Sequence, residues 1–337
     1  MTMGRTVHTV SMAVWDYLDY ASRNLAFSTY THYRSKLMRF ESVHGPMPVK
    51  NVKAPLLFEY LYGRGGATKN CGARNASQHR TALQNMLNYA AYRGICDAVA
   101  VPKMDGGSRP EERDWTRYSA DEMLMLQDGM PCPRSRMIVA ICTNTAMRID
   151  DIFQIRLKYV KLATNDLRVR IQKSKMWDNK PVTLELEEEL RRYLIWYAQT
   201  CGISQRDDVY LIPGSKRIGW VEAGGCTGYA PNPERPVSYN WAYTRLKQAV
   251  EAQGLQREEG EAFHMLRRSV ARLYFDTKAD EGYDLALRMT QALLNHKSAA
   301  TTEKYLGLRV ETIKRDQSLK GQSFLTRGRE GVIQIAR

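Results

Sequence analysis

One stretch sets the architecture of this chain: "VPKMDGGSRPEERDWTR", residues 101–117. It combines proline, glycine and charge and breaks the patterned sequence on either side, so it reads as a linker. The chain has 337 residues, long for one domain and natural for two. The expected division is residues 1–100, a linker at 101–117, a second domain at 118–309, and a tail at 310–337.

The first domain reads as helical. "SMAVWDYLDYASRNL" places Val14, Leu18, Ala21 and Leu25 at helical spacing. "AFSTYTHYRSKLMRFESVHG" opens on a hydroxyl cluster, with Ser28 or Thr29 expected as its N-cap. "APLLFEYLYG" is a shorter helix, and "NASQHRTALQNMLNYAAYRG" puts Leu83, Met86, Leu87 and Ala90 on one face. Before the last of these lies the Gly-rich, basic "GRGGATKNCGARN". It is either a flexible loop or a surface for phosphates, with Lys69, Arg74, His79 and Arg80 as candidate contacts and Lys103 in the linker as another.

The second domain opens with "YSADEML", where Ser119 and Glu122 have capping-box spacing. An apolar helix, "SRMIVAICTNTAM", leads into "RIDDIFQIRL". The alternation and polar turn of "DLRVRIQKSKMWDNKPVTLEL" predict two or three antiparallel strands. Helices resume at "EEELRRYLIWYAQT", "SYNWAYTRLKQAVEAQG" and "FHMLRRSVARLYF", while "GSKRIGWVEAGGCTGYAPNPERP" has no assignable element. The expected fold class is therefore mainly α with a small antiparallel β-sheet, an α+β arrangement.

Charge narrows the partners. Fifty Lys and Arg against 36 Asp and Glu give +14, an excess that favours a polyanion. No apolar run has the length of a membrane span and no secretory signal opens the chain, so a cytoplasmic protein is expected. The cysteines, Cys71, Cys96, Cys132, Cys142, Cys201 and Cys226, form no CxxC pair. No histidine stands at a metal-ligand offset from them, so reduced thiols without a metal site are expected.

Four further stretches carry chemistry. "TAMRIDDIFQIRL" has Arg148 with Asp151 three residues on; "IQKSKMWDNKPVTL" has Lys175 at a strand end. "FHMLRRSV" has His264 and Arg267 one helical turn apart, and "NHKSAATTEKYLGL" has His296 and Tyr305. Any one of these is weak. In this order, Arg…Lys…His-x-x-Arg…His…Tyr, ending in TT-x-x-Y-LG, the chain resembles the tyrosine recombinase (phage integrase) family over roughly residues 10–310.

The resemblance implies a helical core-binding domain followed by a tyrosine-recombinase catalytic domain. Tyr305 would attack a DNA phosphate and leave a 3′-phosphotyrosine and a free 5′-hydroxyl, which keeps the bond energy and needs no ATP. Arg148 and Arg267 would clamp the charge on the non-bridging oxygens, and His296 would donate a further hydrogen bond. His264 would take the tyrosine proton, Lys175 would protonate the departing oxygen, and Asp151 would orient its neighbours. Lys173 and Lys180 share the hairpin and compete with Lys175 for that role. With these cations present, no metal or cofactor is expected.

The implied partners are double-stranded DNA bearing a specific core site and a homo-tetramer on two such sites. Only a short lead precedes the first helix, so the arm-type DNA-binding domain of some relatives is not expected. The segment after Tyr305 would dock on a neighbouring protomer. The Thr301–Thr302 pair looks like a helix N-cap that places Tyr305 in a first turn. Departures from the family pattern are Ala146 and Asn295 where glycine is common, and extra residues around "DTKADEGYDL". Competing readings are a type IB topoisomerase, which relaxes DNA by the same chemistry, and a catalytically silent DNA-binding protein.

Overall fold

The helical periodicity of residues 10–95 becomes four helices in a computed structural model of the chain: α1 (Val10–Asn24), α2 (Phe27–His44), α3 (Ala54–Tyr62) and α4 (Ala73–Tyr92). The structure describes residues 7–68, 73–103, 116–203, 207–217 and 229–308. The chain divides into two units, Met1–Arg113 and Asp114–Arg337, with the boundary inside the Pro/Gly/charge stretch.

In the first unit the apolar faces meet as their spacing requires. Val14, Leu18 and Ala21 of α1 pack with Leu37 and Phe40 of α2 and with Leu83, Met86 and Leu87 of α4. Thr9 caps α1 by accepting from the Met12 amide. The cap of α2 differs from expectation: Ala26 occupies it without a side-chain bond, and Ser28 and Thr29 lie in the first turn. A hydroxyl cluster at a helix start signals the region but does not choose which residue leaves helical geometry.

The second unit begins with α5 (Ala120–Asp128), where Ser119 and Glu122 form the full capping box. Then follow α6 (Pro133–Thr145) and α7 (Ile149–Phe153). Met137 to Cys142 are all buried, so α6 is apolar all round and runs through the core. Strands β1 (Val160–Lys161), β2 (Asp166–Arg170) and β3 (Trp177–Pro181) form an antiparallel sheet in that order. Its register pairs Val160 with Leu167 and Leu167 with Lys180.

After α8 (Leu184–Cys201) comes a second antiparallel pair, β4 (Pro213–Arg217) and β5 (Tyr229–Pro236), inside the stretch that gave no readable pattern. Pro231, Pro233 and Pro236 lie in or end β5; without amide donors they hide a strand from propensity. The chain closes with α9 (Tyr239–Ala252), α10 (Phe263–Lys278), α11 (Tyr283–Leu294) and α12 (Ala299–Leu306). The extra residues before α11 form a 3-10 turn, Ala279–Glu281.

A separate apolar cluster joins these last helices: Ala271 and Phe275 of α10, Ala286, Leu287 and Leu294 of α11, Leu306 of α12, and Ala146. It fixes the short α12, which is too brief to hold its shape alone. Among the described residues no helix is long and apolar enough to cross a membrane. Lys69, most of the linker and residues 309–337 lie outside the described residues, as does the side chain of Arg74.

Candidate active site

The second unit brings Arg148, Asp151, His264, Arg267, His296 and Tyr305 together from four different segments. Tyr305 lies on α12, whose N-cap is Ser298, not the threonine pair. The Ser298 hydroxyl accepts from the Thr301 amide, so both threonines fall in the first turn and Tyr305 in the second. Thr302, fully buried, is thereby freed to face inward, where its Oγ1 lies 3.1 Å from Nδ1 of His296. At the far end Gly307 takes φ +65, and Arg117 donates to the Leu306 carbonyl at 3.3 Å. The nucleophile candidate is therefore anchored on both sides of its own turn.

The Tyr305 ring stands edge-to-face between two imidazoles, 5.3 Å from His264 and 5.4 Å from His296. Its hydroxyl donates to the His264 carbonyl at 3.4 Å, and Arg267 is also within hydrogen-bonding reach. Burial raises the Tyr305 hydroxyl above its ordinary value, against the pull of Arg267, Arg268 and Arg148.

Arg267 is 3% exposed, yet no carboxylate pairs with it among the described residues. It donates to two main-chain carbonyls instead, Ala146 and, at 2.6 Å, Leu294. Its buried Nε has no partner among the described residues. Both carbonyls belong to turns with a left-handed residue: Ala146 at φ 50 ends α6, and Asn295 at φ 51 ends α11. The two departures from glycine thus fall where the backbone bends to meet this guanidinium. Burial, with some repulsion from Arg148, lowers Arg267 to about 10, so it remains charged at neutral pH.

Arg148 is half-buried at the N-cap of α7, directly after that bend. Asp151, 2% exposed, accepts the Gln172 amide at 2.7 Å and so fastens the β2–β3 hairpin beside the arginines. Burial raises its carboxyl, and the Gln172 bond and the two arginines oppose that rise.

Both imidazoles are held neutral. Burial and then Arg267, Arg268 and Arg148 lower His264 to about 4; burial and then Arg267, Arg148, His264 and Lys173 lower His296 to about 4. This is a cationic cluster suited to an anion, where a phosphate would offset the repulsion.

The hairpin lysines separate clearly. Lys180 is buried, with its ammonium 3.0 Å from Asp178 and 3.2 Å from the Leu293 carbonyl, so it is committed to structure. Lys175 is exposed at the tip at φ 61, and Lys173, also exposed, is among the cations felt by His296. Arg268, next along the helix, is 5% exposed and paired with Glu261 at 2.6 Å.

Among the candidate DNA contacts of the first unit, Arg80 is partly exposed and Lys103 exposed. His79 is 2% exposed, and burial with Lys36, Arg39 and His32 nearby lowers it to about 4. Its ring is buried, on the helical face that also carries the core residues Leu83 and Met86. Arg117 and Asp178 have no signal in the sequence, and Thr302 stands out there only as part of a cap. Asn295 had a signal, since a non-glycine residue at a glycine position marks a left-handed turn.

Residues 122–311 match the phage integrase family, and the chain belongs to it. Among curated proteins it is similar to the tyrosine recombinase XerC of Lactobacillus delbrueckii subsp. bulgaricus, 25% identical over 250 residues, covering 73% of this chain and 75% of that protein. XerC of Lactobacillus leichmannii is 24% identical over the same share. Among solved structures, a lambda integrase tetramer bound to a Holliday junction aligns with a TM-score of 0.65 at 20% identity, over 89% of this chain and 78% of that one. The XerH site-specific recombinase in a post-cleavage complex aligns with a TM-score of 0.64 at 17% identity, over 92% and 84%. These structures share the fold.

Proposed function

We propose that this chain is a site-specific DNA recombinase that cuts and rejoins double-stranded DNA through a 3′-phosphotyrosine on Tyr305. The observation that carries the reading is the setting of Tyr305: one hydroxyl, two neutral imidazoles and a buried arginine with no ion-paired carboxylate among the described residues. A phosphodiester placed there meets a nucleophile, a base and a positive cradle at once.

The step balances within those groups. The Tyr305 oxygen bonds to phosphorus as the bond to the 5′-oxygen breaks. His264 accepts the phenolic proton; the arriving phosphate offsets the neighbouring cations and restores basicity to its ring. Arg148, Arg267 and His296 stabilise the non-bridging oxygens. Lys175, with Lys173 as the alternative, gives a proton to the 5′-oxygen. Asp151 acts as a positioning residue through Gln172. Rejoining is the reverse, with a 5′-hydroxyl attacking the tyrosyl ester, and no metal or cofactor enters.

The first unit serves as the core-binding domain, with the partly exposed Arg80 and the exposed Lys103 as candidate contacts, and Lys69 and Arg74 alongside them in sequence. The net charge of +14 supports a DNA partner. The lambda integrase relative is a tetramer on a Holliday junction, and the same assembly on two core sites is proposed here. Residues 310–337 would couple neighbouring protomers, and the protein would work on cytoplasmic, nucleoid DNA.

Covalent trapping tests the reading. The protein is incubated with fragmented candidate host or mobile-element DNA in EDTA, then quenched with SDS, with Tyr305→Phe in parallel. Adducts that require the tyrosine support it, and sequencing their ends gives the core site. DNA bound without any adduct, on nicked substrates as well, would leave a silent DNA-binding protein. Relaxation of plasmids lacking the site would favour the topoisomerase reading.

A further inference from the structure

We infer that Asn295 and Asp178 form a clamp that positions the hairpin lysine against the departing 5′-oxygen, a role that rests on the assignment of that lysine as the acid. The lysine side chain is exposed near the tip of a hairpin, where Lys175 makes only a long bond of 3.5 Å to Gln172 Oε1, too weak to fix it by itself. Its placement must come from the stems. The first stem is tied to the site by Asp151, which accepts the Gln172 amide at 2.7 Å. The second stem is tied by Asn295, whose Nδ2 donates to Asp178 Oδ2 at 2.8 Å.

Side chains alternate along a strand, so Asp178 and Lys180 share one face of β3, and both turn to the end of α11. Lys180 reinforces the contact by bridging Asp178 and the Leu293 carbonyl. Burial pushes the Asp178 carboxyl up, but the bonds from Asn295 and Lys180 outweigh it and hold it below its ordinary value. The acceptor therefore stays ionised and strong.

Geometry explains why the residue is asparagine. Position 295 has φ 51 and ψ 46, which glycine and asparagine accept most easily. Glycine would complete the turn and leave Asp178 without its donor. Asparagine completes the turn and adds the tie. His296 follows directly, and the Leu294 carbonyl just before it holds Arg267. One short segment thereby registers the phosphate cradle and the lysine hairpin against each other.

The test uses the full chain and a nicked duplex carrying the site recovered by covalent trapping. Two versions are compared: an ordinary phosphodiester and one with sulfur as the 5′-bridging atom. A thiolate leaves without protonation, so a defect in proton delivery disappears on the sulfur ester, whereas a defect in phosphate binding or folding persists. Asn295→Gly keeps the turn. It is expected to slow covalent-adduct formation about tenfold on the oxygen ester, within the range for a displaced catalytic group. On the sulfur ester it should match the wild type. Asn295→Asp, which sets a second carboxylate against Asp178, should show the same pattern more strongly.

Lys175→Ala and Lys173→Ala report the acid itself, and one of them should be rescued by sulfur. If one is rescued and Asn295→Gly is not, the acid assignment stands and the clamp is wrong. No defect of Asn295→Gly on the oxygen ester also overturns it. If neither lysine variant is rescued, the acid assignment falls and the clamp with it.

Discussion

Two neighbouring regions under α10 each bury an arginine, and they differ in what faces the charge. Arg268 meets the Glu261 carboxylate at 2.6 Å in a pocket that is nearly closed, with side-chain exposures of 7% and 4%. Among the described residues Arg267 donates to carbonyl oxygens and meets a tyrosine, and Asp151 acts on it without forming an ion pair. The first region is electrically complete, and the same carboxylate also receives the Thr116 amide. The second has no ion-paired carboxylate among the described residues, which is costly in a folded protein unless a ligand supplies the anion. Burial alone therefore does not separate the two cations; the presence or absence of a paired carboxylate does.

The largest effect expected from this contrast is on the structural side. Arg268→Ala leaves the Glu261 carboxylate buried without its cation and should cost about 3–5 kcal/mol of stability. Denaturant titration would show it, while adduct yield per folded molecule should fall far less than for Arg267→Lys, because Arg268 faces the Tyr305 ring only at 6.0 Å. If Arg268→Ala removed cleavage without loss of stability, the division between the two regions would be wrong.

Arg267→Lys probes the other side. An ammonium cannot reproduce a planar fork that spans two carbonyls and a phosphate. Adduct formation should fall about a hundredfold to a thousandfold, the scale for removing a preorganised donor from a transition state. Stability should change far less than for Arg268→Ala. A variant that cleaved at the wild-type rate would show that Arg267 serves the turns at Ala146 and Asn295 and nothing more.

The sequence revealed the two arginines unequally, and the reason is physical. Arg267 stands at a fixed offset from His264 on one helix, and helical geometry converts that spacing into a shared face. Arg268 is paired through Glu261, seven residues back and outside the helix, a relation that no periodicity encodes. Elements with a strong apolar period, such as α1, α4 and α6, were legible. The β4–β5 pair was not, because its prolines suppress the usual strand signal. The caps at Ala26 and Ser298 were misread since several hydroxyl residues lay within one turn, and tertiary contacts chose among them. His79 has a basic neighbourhood in sequence, but its helical position beside the apolar stripe turns it inward, where it is 2% exposed.

Histidines extend the comparison to pH. His79, His264 and His296 are each lowered to about 4, below their ordinary 6.5, with burial the leading cause. Above pH 6.5 both folded and unfolded chains are neutral at these rings, and their contribution to stability is whole. As pH falls from 6.5 toward 4 the unfolded chain binds protons that the folded one refuses, so stability declines across that window. The thermal midpoint should be lower at pH 5 than at pH 7.5. Bound core-site DNA should separate the three by NMR titration, raising His264 and His296, which are proposed to meet the phosphate, and leaving His79 unchanged. A uniform response would contradict the assignment of His79 to packing.

The smallest expected effect concerns the other non-glycine turn residue. Ala146 adopts φ 50, a conformation that costs an alanine roughly 1–2 kcal/mol relative to glycine. Its methyl group, however, is fully buried in the cluster with Ala271, Phe275 and Leu306. Losing it would forfeit about 0.8 kcal/mol of burial, and the added freedom of an unfolded glycine would cost about 0.4–1 kcal/mol more. These terms nearly cancel, so Ala146→Gly should shift stability by less than about 1 kcal/mol in either direction and leave cleavage intact. Asn295→Gly has a different balance: it relieves little strain, because asparagine tolerates the left-handed region, and it gives up a directed bond to Asp178. If the turn at 146 proved the more sensitive of the two in cleavage, the support of Arg267 by the Ala146 carbonyl would outrank the hairpin tie as the reason this chain departs from glycine.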